Sequence, residues 1–493
     1  MAKSPSQQQS LGQFFTPDEI ATFILKKIKL KQNHTISDIS CGDGAFINIA
    51  FDKLKKLTHD EISTVSQIYG IELSPSVLQR AHQRISAKCD RDESKLIIKK
   101  NIVNMNTITS SVDEVLSTFP LIKNSKGFDV IVGNPPYVTI KLEKHLKKDP
   151  SYRKIIAGQI NITTLIIGRS YSLLKNNGQL GLLLPKSLFR VESYQKLRNF
   201  ILKHFEINYL VDVGMRFNEV RGEQVILIAT KKTNPQNKSI KVGLWKKNEP
   251  SPTLTDVSQK YLTRFGIFQI YDNVNMHSLV SKIIGTHSNL DSICDSKIHR
   301  GISLGANSPL VSTKKVKNFS VGVRGDSIKK FGYKYLIYIK NHDFSDLTDE
   351  MQGKKIISQN IFSSESGIVA TYDEQGLIPL NTITNIFPTN ENPYYVLGIL
   401  NSILARFFMI FVVFAKSRLT MHTDRHYIGL LPIPKINSKL KNKIIKQVKS
   451  ELDGNKSETL DDLVFSAFDL LDEEKQLIKD ELLKFERDGK KSI

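Results

Sequence analysis

Residues 134–137 read Asn-Pro-Pro-Tyr, which places an amide, a proline carbonyl and an aromatic ring within one turn. The run before it, Phe128 to Val132, is short, apolar and β-branched, the pattern of a strand buried on both faces of a parallel sheet. Gly133 ends that run, and the two prolines remove two backbone donors and fix φ, so the strand cannot continue. The spacing therefore predicts a stiff loop at the carboxyl end of a central strand, where open α/β sheets place their ligands. Asn134, Pro135, Pro136 and Tyr137 are suited to gripping a flat, amino-bearing ring by its edge and its face. A proline-rich turn that merely ends a strand is the plainer alternative, and the neighbouring segments weigh against it.

Those segments must position the loop. Thr35 to Phe46 reads as a short strand ending near Asp38, a turn through Cys41, Gly42 and Gly44, and a helix from Ala45 to about Leu57. Glycines at 42 and 44 let the backbone approach a ligand, and a helix N-terminus accepts a carboxylate. A second strand, Gln67 to Ile71, ends in Glu72, at the distance where nucleoside-binding sheets put an acid on ribose hydroxyls. Ile47 and Asn48 replace the third glycine of a nicotinamide fingerprint, and no Gly-Lys-Ser/Thr follows as in a P-loop. A nucleoside without a pyrophosphate is the ligand that fits. Upstream, Phe14-Phe15-Thr16-Pro17 precedes an amphipathic helix from Asp18 to about Leu30, with Thr16 expected as N-cap and Pro17 in the first turn. A third strand is expected at Leu96 to Lys99, leading to Asn101. Helices at 163–174 and 193–203 and strands at 180–184, 209–213, 225–229 and 240–245 complete an alternating pattern. The fold class is therefore α/β, a doubly wound Rossmann-like sheet. The connection Met215 to Val220, which carries Phe217, is expected beside the Asn134 loop.

Composition narrows the partner. The 493 residues carry 70 Lys+Arg against 49 Asp+Glu, a formal charge of +21 that points to a polyanion. Cys41, Cys89 and Cys294 are scattered and odd in number, so neither a disulfide framework nor a zinc site is indicated, and no metal is expected. The first residues lack the apolar core of a signal peptide, which leads us to expect a cytoplasmic protein. Val396 to Ala415 is apolar, but Asn401, Ser402 and Arg406 interrupt it, so a buried helix is expected and not a membrane span. Asn248 to Pro252 is the expected linker, dividing a catalytic domain (1–250) from a mixed α+β domain (251–493) with a helical tail at Ser457 to Lys484. Basic clusters at Lys314, Lys315 and Lys317, at Arg324, Lys329 and Lys330, and at Lys416 and Arg418 suggest a face that grips a duplex.

The order Phe-x-Thr-Pro (14–17), Asp-x-x-Cys-Gly-x-Gly-x-Phe (38–46), Glu72 and Asn-Pro-Pro-Tyr (134–137) resembles that of S-adenosylmethionine-dependent DNA adenine-N6 methyltransferases of the gamma arrangement, in which the cofactor segments precede a target-recognition domain. The second half resembles the recognition region of such enzymes at 371–374, 398–402 and 431–434. The resemblance implies S-adenosylmethionine as cofactor. It puts Thr16 and Pro17 near the methionine moiety, Asp38, Cys41, Gly42, Gly44 and Phe46 around it, and Glu72 on the ribose. At the position after the third strand, where the family commonly has Asp on the cofactor's adenine amine, the reading puts Asn101.

The same resemblance implies that the Asn134 oxygen and the Pro135 carbonyl accept the two hydrogens of an adenine amine, exposing its lone pair for attack on the cofactor's methyl. The target base must leave the duplex, and Tyr137 and Phe217 are the candidates to stack on it. The expected function is thus sequence-specific methylation of double-stranded DNA within a restriction–modification system, by a monomer whose partner endonuclease is separately encoded. Two alternatives stand beside it: methylation of RNA or of a protein glutamine, and a non-catalytic DNA-binding subunit, for which Asn101 is the only support.

Overall fold

A computed structural model describes residues 16–490, except 159, 216–221, 236–238, 259–262, 265, 286, 306–307, 343, 418–420 and 456–458. Phe14, Phe217 and Arg418 lie outside the described residues. The chain divides into two compact units, Met1–Val274 and Asn275–Ile493.

The first unit is built on strands β1 (Ile36–Asp38), β2 (Ile68–Glu72), β3 (Ile102–Asn104), β4 (Phe128–Gly133), β5 (Thr139–Ile140), β6 (Ile160–Asn161), β7 (Leu174–Pro185), β8 (Phe205–Gly214), β9 (Gln224–Lys231), β10 (Ser239–Leu244) and β11 (Thr253–Ser258). β5 and β6 form a separate two-stranded ribbon, and the other nine form one sheet in the order β11-β10-β8-β9-β7-β4-β1-β2-β3. β1 pairs in parallel with both β2 and β4, and β2 with β3, so the strand order reverses between β1 and β4. That reversal is where a doubly wound sheet opens a crevice. The β4 residues Phe128, Val130, Ile131 and Val132 are at most 1% exposed, as their β-branched run requires. The helices that frame the crevice are α1 (Asp18–Lys27), α2 (Ala45–Thr58), α3 (Pro75–Ser86), α4 (Asp92–Asn101), α5 (Ile162–Leu173) and α6 (Gln195–His204).

Several expectations are corrected. Pro17 itself occupies the N-cap position of α1, so Thr16 does not cap it, and the helix stops at Lys27. Leu96 to Lys99 is not a strand but part of α4. Asp92 and Glu93 in its first turn and Lys99 and Lys100 in its last complement the helix dipole, and Leu96 points to solvent at 59% exposure. The third strand is instead Ile102–Asn104. Finally, the stretch around Pro250 is no interdomain linker. It turns the chain between β10 and the antiparallel edge strand β11, and the boundary between units falls at Val274.

The second unit contains two four-stranded sheets. One, Ile298–Arg300, Ile383–Ile386, Lys355–Gln359 and Ala370–Asp373, is wholly antiparallel; the other comprises Val311–Ser312, Ile337–Lys340, Phe319–Val323 and Ile378–Pro379. The apolar stretch after Pro393 forms helices Pro393–Asn401 and Ile403–Phe408, broken at Ser402 and almost entirely buried in this unit. Among the described residues no single helix is long and apolar enough to cross a membrane. The tail is not one helix but two, Leu460–Ala467 and Asp472–Lys490, with Asp469 at φ 52° in the break.

Candidate active site

The crevice between β1 and β4 widens into a cavity of about 380 Å³, within the size range of small-molecule sites. Its floor is the turn after β1. Gly42 (φ +55°) and Gly44 (φ +84°) adopt left-handed backbone that side-chain-bearing residues rarely take, and nothing stands within 4 Å of where a Gly42 Cβ would be. The turn is held by Glu72, whose Oε2 accepts the Gly42 N–H at 2.9 Å while Oε1 accepts the Ser74 N–H at 2.8 Å. Glu72 is thus fixed at the rim of β2, with its carboxylate facing the cavity.

Asp38, at the end of β1, is 2% exposed, and its Oδ1 accepts the Ser40 N–H at 3.0 Å. Burial pushes its carboxyl up to about 7; the Ser40 N–H opposes the shift, and the charges of Glu72 and Asp43 add to it. A buried acid of this kind becomes an anion readily only when a cation arrives. Burial also pushes the Cys41 thiol upward, beside Asp38 and Glu72, which leaves it a neutral packing group and no nucleophile.

Thr16, Asp38, Cys41, Gly42, Phe46, Glu72, Asn134 and Pro136 all line this cavity. Gly44 stands just behind it, packed against Ala81. Asn101 is not among the lining residues: its Nδ2 donates to the Val65 carbonyl at 3.1 Å, at the end of α4. The residues that do follow β3 and line the cavity are Met105, Asn106, Thr107 and Ile108. Asn106 Oδ1 accepts the N–H of Ile108 at 3.0 Å, an Asx turn that shapes the loop. Asn106 and Leu73, a leucine 62% exposed directly after Glu72, went unassigned in the sequence. An apolar residue following a strand-ending acid was the available signal for Leu73.

At the other end of the cavity, the 134–137 loop leaves β4. Pro135 is buried, and Asn134, Pro136 and Tyr137 are half-buried. The Tyr137 hydroxyl donates to Asn134 Oδ1 at 2.7 Å and lies 3.3 Å from the Leu183 carbonyl; burial pushes the phenol's pKa upward. One strand further along the same edge, the buried Lys186 ammonium sits 2.6 Å from Asp212 Oδ2 and 3.6 Å from Glu223 Oε1. That charge cluster ties the end of β8 to the residue before β9, and no motif announced it.

In the second unit Lys314, Lys315 and Lys317 are exposed on the connection between Val311–Ser312 and Phe319–Val323. Arg324 is engaged by Asp326 at 2.7 Å and the Tyr335 hydroxyl at 2.9 Å. Lys330 turns inward, donating to the Asn401 carbonyl at 2.7 Å, so it is withdrawn from the basic face. No group of three or more His, Cys, Asp or Glu able to hold a metal ion occurs among the described residues.

Comparison with known proteins places both halves. Residues 66–217 match the family of Eco57I restriction-modification methylases, and residues 311–433 match the TaqI-like C-terminal specificity domain. The chain is 27% identical over 227 residues to the type II restriction enzyme and methyltransferase RM.Eco57I of Escherichia coli, covering 37% of this chain and 23% of that protein. It is 26% identical over 242 residues to the type II methyltransferase M.HincII of Haemophilus influenzae (48% and 40% covered). To M.VspI of a Vibrio strain it is 26% identical over 279 residues (56% and 62% covered). The matched stretches thus span less than two thirds of each of these relatives. Among solved structures, the type IIL restriction-modification enzyme MmeI in complex with DNA superposes with a TM-score of 0.60 at 15% identity, covering 95% of this chain and 75% of that one. The DrdV–DNA complex gives 0.54 at 12% identity, covering 92% and 58%. These likenesses establish a shared fold.

Proposed function

From a chain that joins an Eco57I-type restriction-modification methylase domain to a TaqI-like specificity domain, we infer that the cavity binds S-adenosylmethionine and that the 134–137 loop presents to it the N6 amine of an adenine extruded from DNA. The observation that carries this reading is the junction of two features in one crevice: an acid-rimmed nucleoside cavity, and an Asn-Pro-Pro-Tyr loop at its mouth.

The residues fit the cofactor. Glu72 is placed to accept from ribose hydroxyls, and Asp38 to balance the positive methionine end. Leu73, Met105 and Ile108 offer apolar contact to the purine, whose edge falls to Asn106, in place of Asn101. With Asn101 outside the cavity, the non-catalytic reading loses its support. When bound, the cofactor supplies an electrophilic methyl group. The protein's work is then to make the adenine nitrogen nucleophilic. Asn134 Oδ1 and the Pro135 carbonyl accept its two hydrogens and draw its lone pair out of conjugation with the ring. Holding donor and acceptor in line provides most of the acceleration. Tyr137 stacks on the base, a contact worth about 1–3 kcal/mol against the cost of extrusion. Purified protein incubated with labelled cofactor and varied DNA, followed by sequencing of modified bases, tests the reading. N6-methyladenine at one sequence supports it, and label found only in RNA or polypeptide sinks it.

Asp38 holds its proton more tightly folded (about 7) than unfolded, so its contribution to stability is complete below the unfolded value of about 4 and is lost as pH rises through 7. A cationic ligand inverts the preference. The cofactor's Kd should therefore fall by up to about tenfold per pH unit from about 5 to 7 and then level off. Asp38→Asn should flatten that profile, and a wild-type Kd independent of pH would remove Asp38 from the cation's surroundings. On the DNA side, Lys314→Ala with Lys315→Ala should reduce the salt slope of binding by about 1 for each phosphate left without its lysine. An unchanged slope would take this basic connection out of the interface.

A further inference from the structure

Arg169, on α5, is fully buried, and its guanidinium joins two segments far apart in sequence. Nε donates to the Thr107 carbonyl at 3.1 Å and to the Tyr152 hydroxyl at 3.0 Å. Nη2 donates to the Ile108 carbonyl at 3.2 Å and to Asp149 Oδ2 at 3.0 Å, and Nη1 to Ser151 Oγ at 3.2 Å. The Tyr152 hydroxyl donates in turn to the Ile108 carbonyl at 2.9 Å, and the guanidinium carbon lies 4.8 Å from the centre of the Tyr152 ring. Asp149 stays ionised: burial alone would raise its pKa, but the Ser151 N–H and the Arg169 charge bring it below the usual carboxylate range.

Of the two segments, the first lines the cavity and the second is absent from its lining. Asn106, Thr107 and Ile108 line the cavity below the expected purine, and Thr107 Oγ1 also donates to the Ile39 carbonyl at 2.6 Å, at the end of β1. Asp149 to Tyr152 belongs to the excursion between β5 and β6, whose base supplies Val138, Ile140 and Ile162 to the lining of the same cavity. Only a planar fork with five donors can serve two carbonyls, two hydroxyls and a carboxylate at once. A buried ion pair contributes little net stability over an apolar core of the same shape, so stability alone is a poor reason for an arginine here.

We propose that Arg169 is a positioning residue that sets the Asn106–Ile108 loop for recognition of the cofactor's purine edge and clasps it to the β5–β6 excursion, whose base lines the same cavity. The proposal rests on the cofactor reading above. Its test compares binding of S-adenosylhomocysteine with that of its analogue lacking the 6-amino group, in wild type, Arg169→Lys and Tyr152→Phe. Wild type should favour the amino form by about tenfold, the equivalent of one buried hydrogen bond. Arg169→Lys keeps the charge but not the fork. It should bring that ratio to about twofold and raise KM for the cofactor about tenfold, with kcat at saturation changed less than about threefold. Tyr152→Phe, a milder change should the lysine variant not fold, should lower the ratio by about threefold. It should also speed amide exchange at 106–110 and 149–156 together.

Equal weakening of both ligands, leaving the ratio intact in the folded variants, would reduce Arg169 to a structural residue and overturn the proposal. If wild type binds neither ligand, the cofactor reading itself falls. The clasp is then judged by exchange alone, and unchanged exchange in either segment of Tyr152→Phe overturns it.

Discussion

Asn134→Ala is expected to lower kcat for DNA methylation by about 10²- to 10³-fold, the loss typical of removing one hydrogen-bonding group that acts on the transition state. Cofactor affinity should stay within about threefold, since the proposal gives the Asn134 oxygen to the base and not to the cofactor. The Tyr137 hydroxyl at 2.7 Å occupies one lone pair of the Asn134 oxygen. The proposed contact with the amine uses the second lone pair of that oxygen. Tyr137→Phe separates the two roles of that side chain. It keeps the ring for stacking and removes only the hydroxyl that orients Asn134, so a loss of about tenfold is expected, below that of Asn134→Ala. Single-turnover rates with saturating cofactor check both values. A nearly normal rate in Asn134→Ala would mean that the amine is activated elsewhere. A parallel rise in cofactor Kd would mean that Asn134 serves the cofactor and not the base.

The 134–137 loop was readable in the sequence because its determinants are local. Gly133, Pro135 and Pro136 stop a strand by their own covalent geometry, whatever surrounds them. The Gly42 and Gly44 turn was readable for the same reason, and both have the positive φ that their type suggests. The third strand was hidden because its determinants lie elsewhere in the chain. Ile102–Asn104 is only three residues long and is defined by pairing with Gly70, Ile71 and Glu72. The more apolar Leu96-Ile97-Ile98 is the better strand by composition, although the acids before it and the lysines after it already describe a helix. That shift of a few residues is what put Asn101 in the place that our proposal gives to Asn106, which lines the cavity. β11 was missed for a related reason: it is an edge strand with only Val257 fully buried, so it lacks the apolar alternation of an inner strand. Arg169 went unassigned, although it is the lone charge in 162–173, a run with no charged face, which is the pattern of a buried helix.

Gly133→Ala is expected to be the most damaging small change at the site, although its backbone conformation suits any residue. An added Cβ would lie 2.8 Å from Asp38 Oδ1, 3.2 Å from Cγ and 3.4 Å from Oδ2, so the whole carboxylate lies against this one position. Asp38 has little room to yield. Its backbone is fixed in β1, where Ser37 pairs with Ile131, and its Oδ1 is engaged by Ser40. Overpacking of this kind costs about 1–3 kcal/mol of stability. Displacing the carboxylate from the cation's place should in addition weaken cofactor binding by about 10²-fold, through a charged contact that the buried site cannot replace with water. Adding Asp38→Ala to Gly133→Ala separates the two effects. Removing the carboxylate relieves the crowding, so the melting temperature should recover while cofactor affinity stays low. If affinity recovers with stability, the glycine matters only for packing. If neither recovers, the strain lies in β4 itself and not between Gly133 and Asp38.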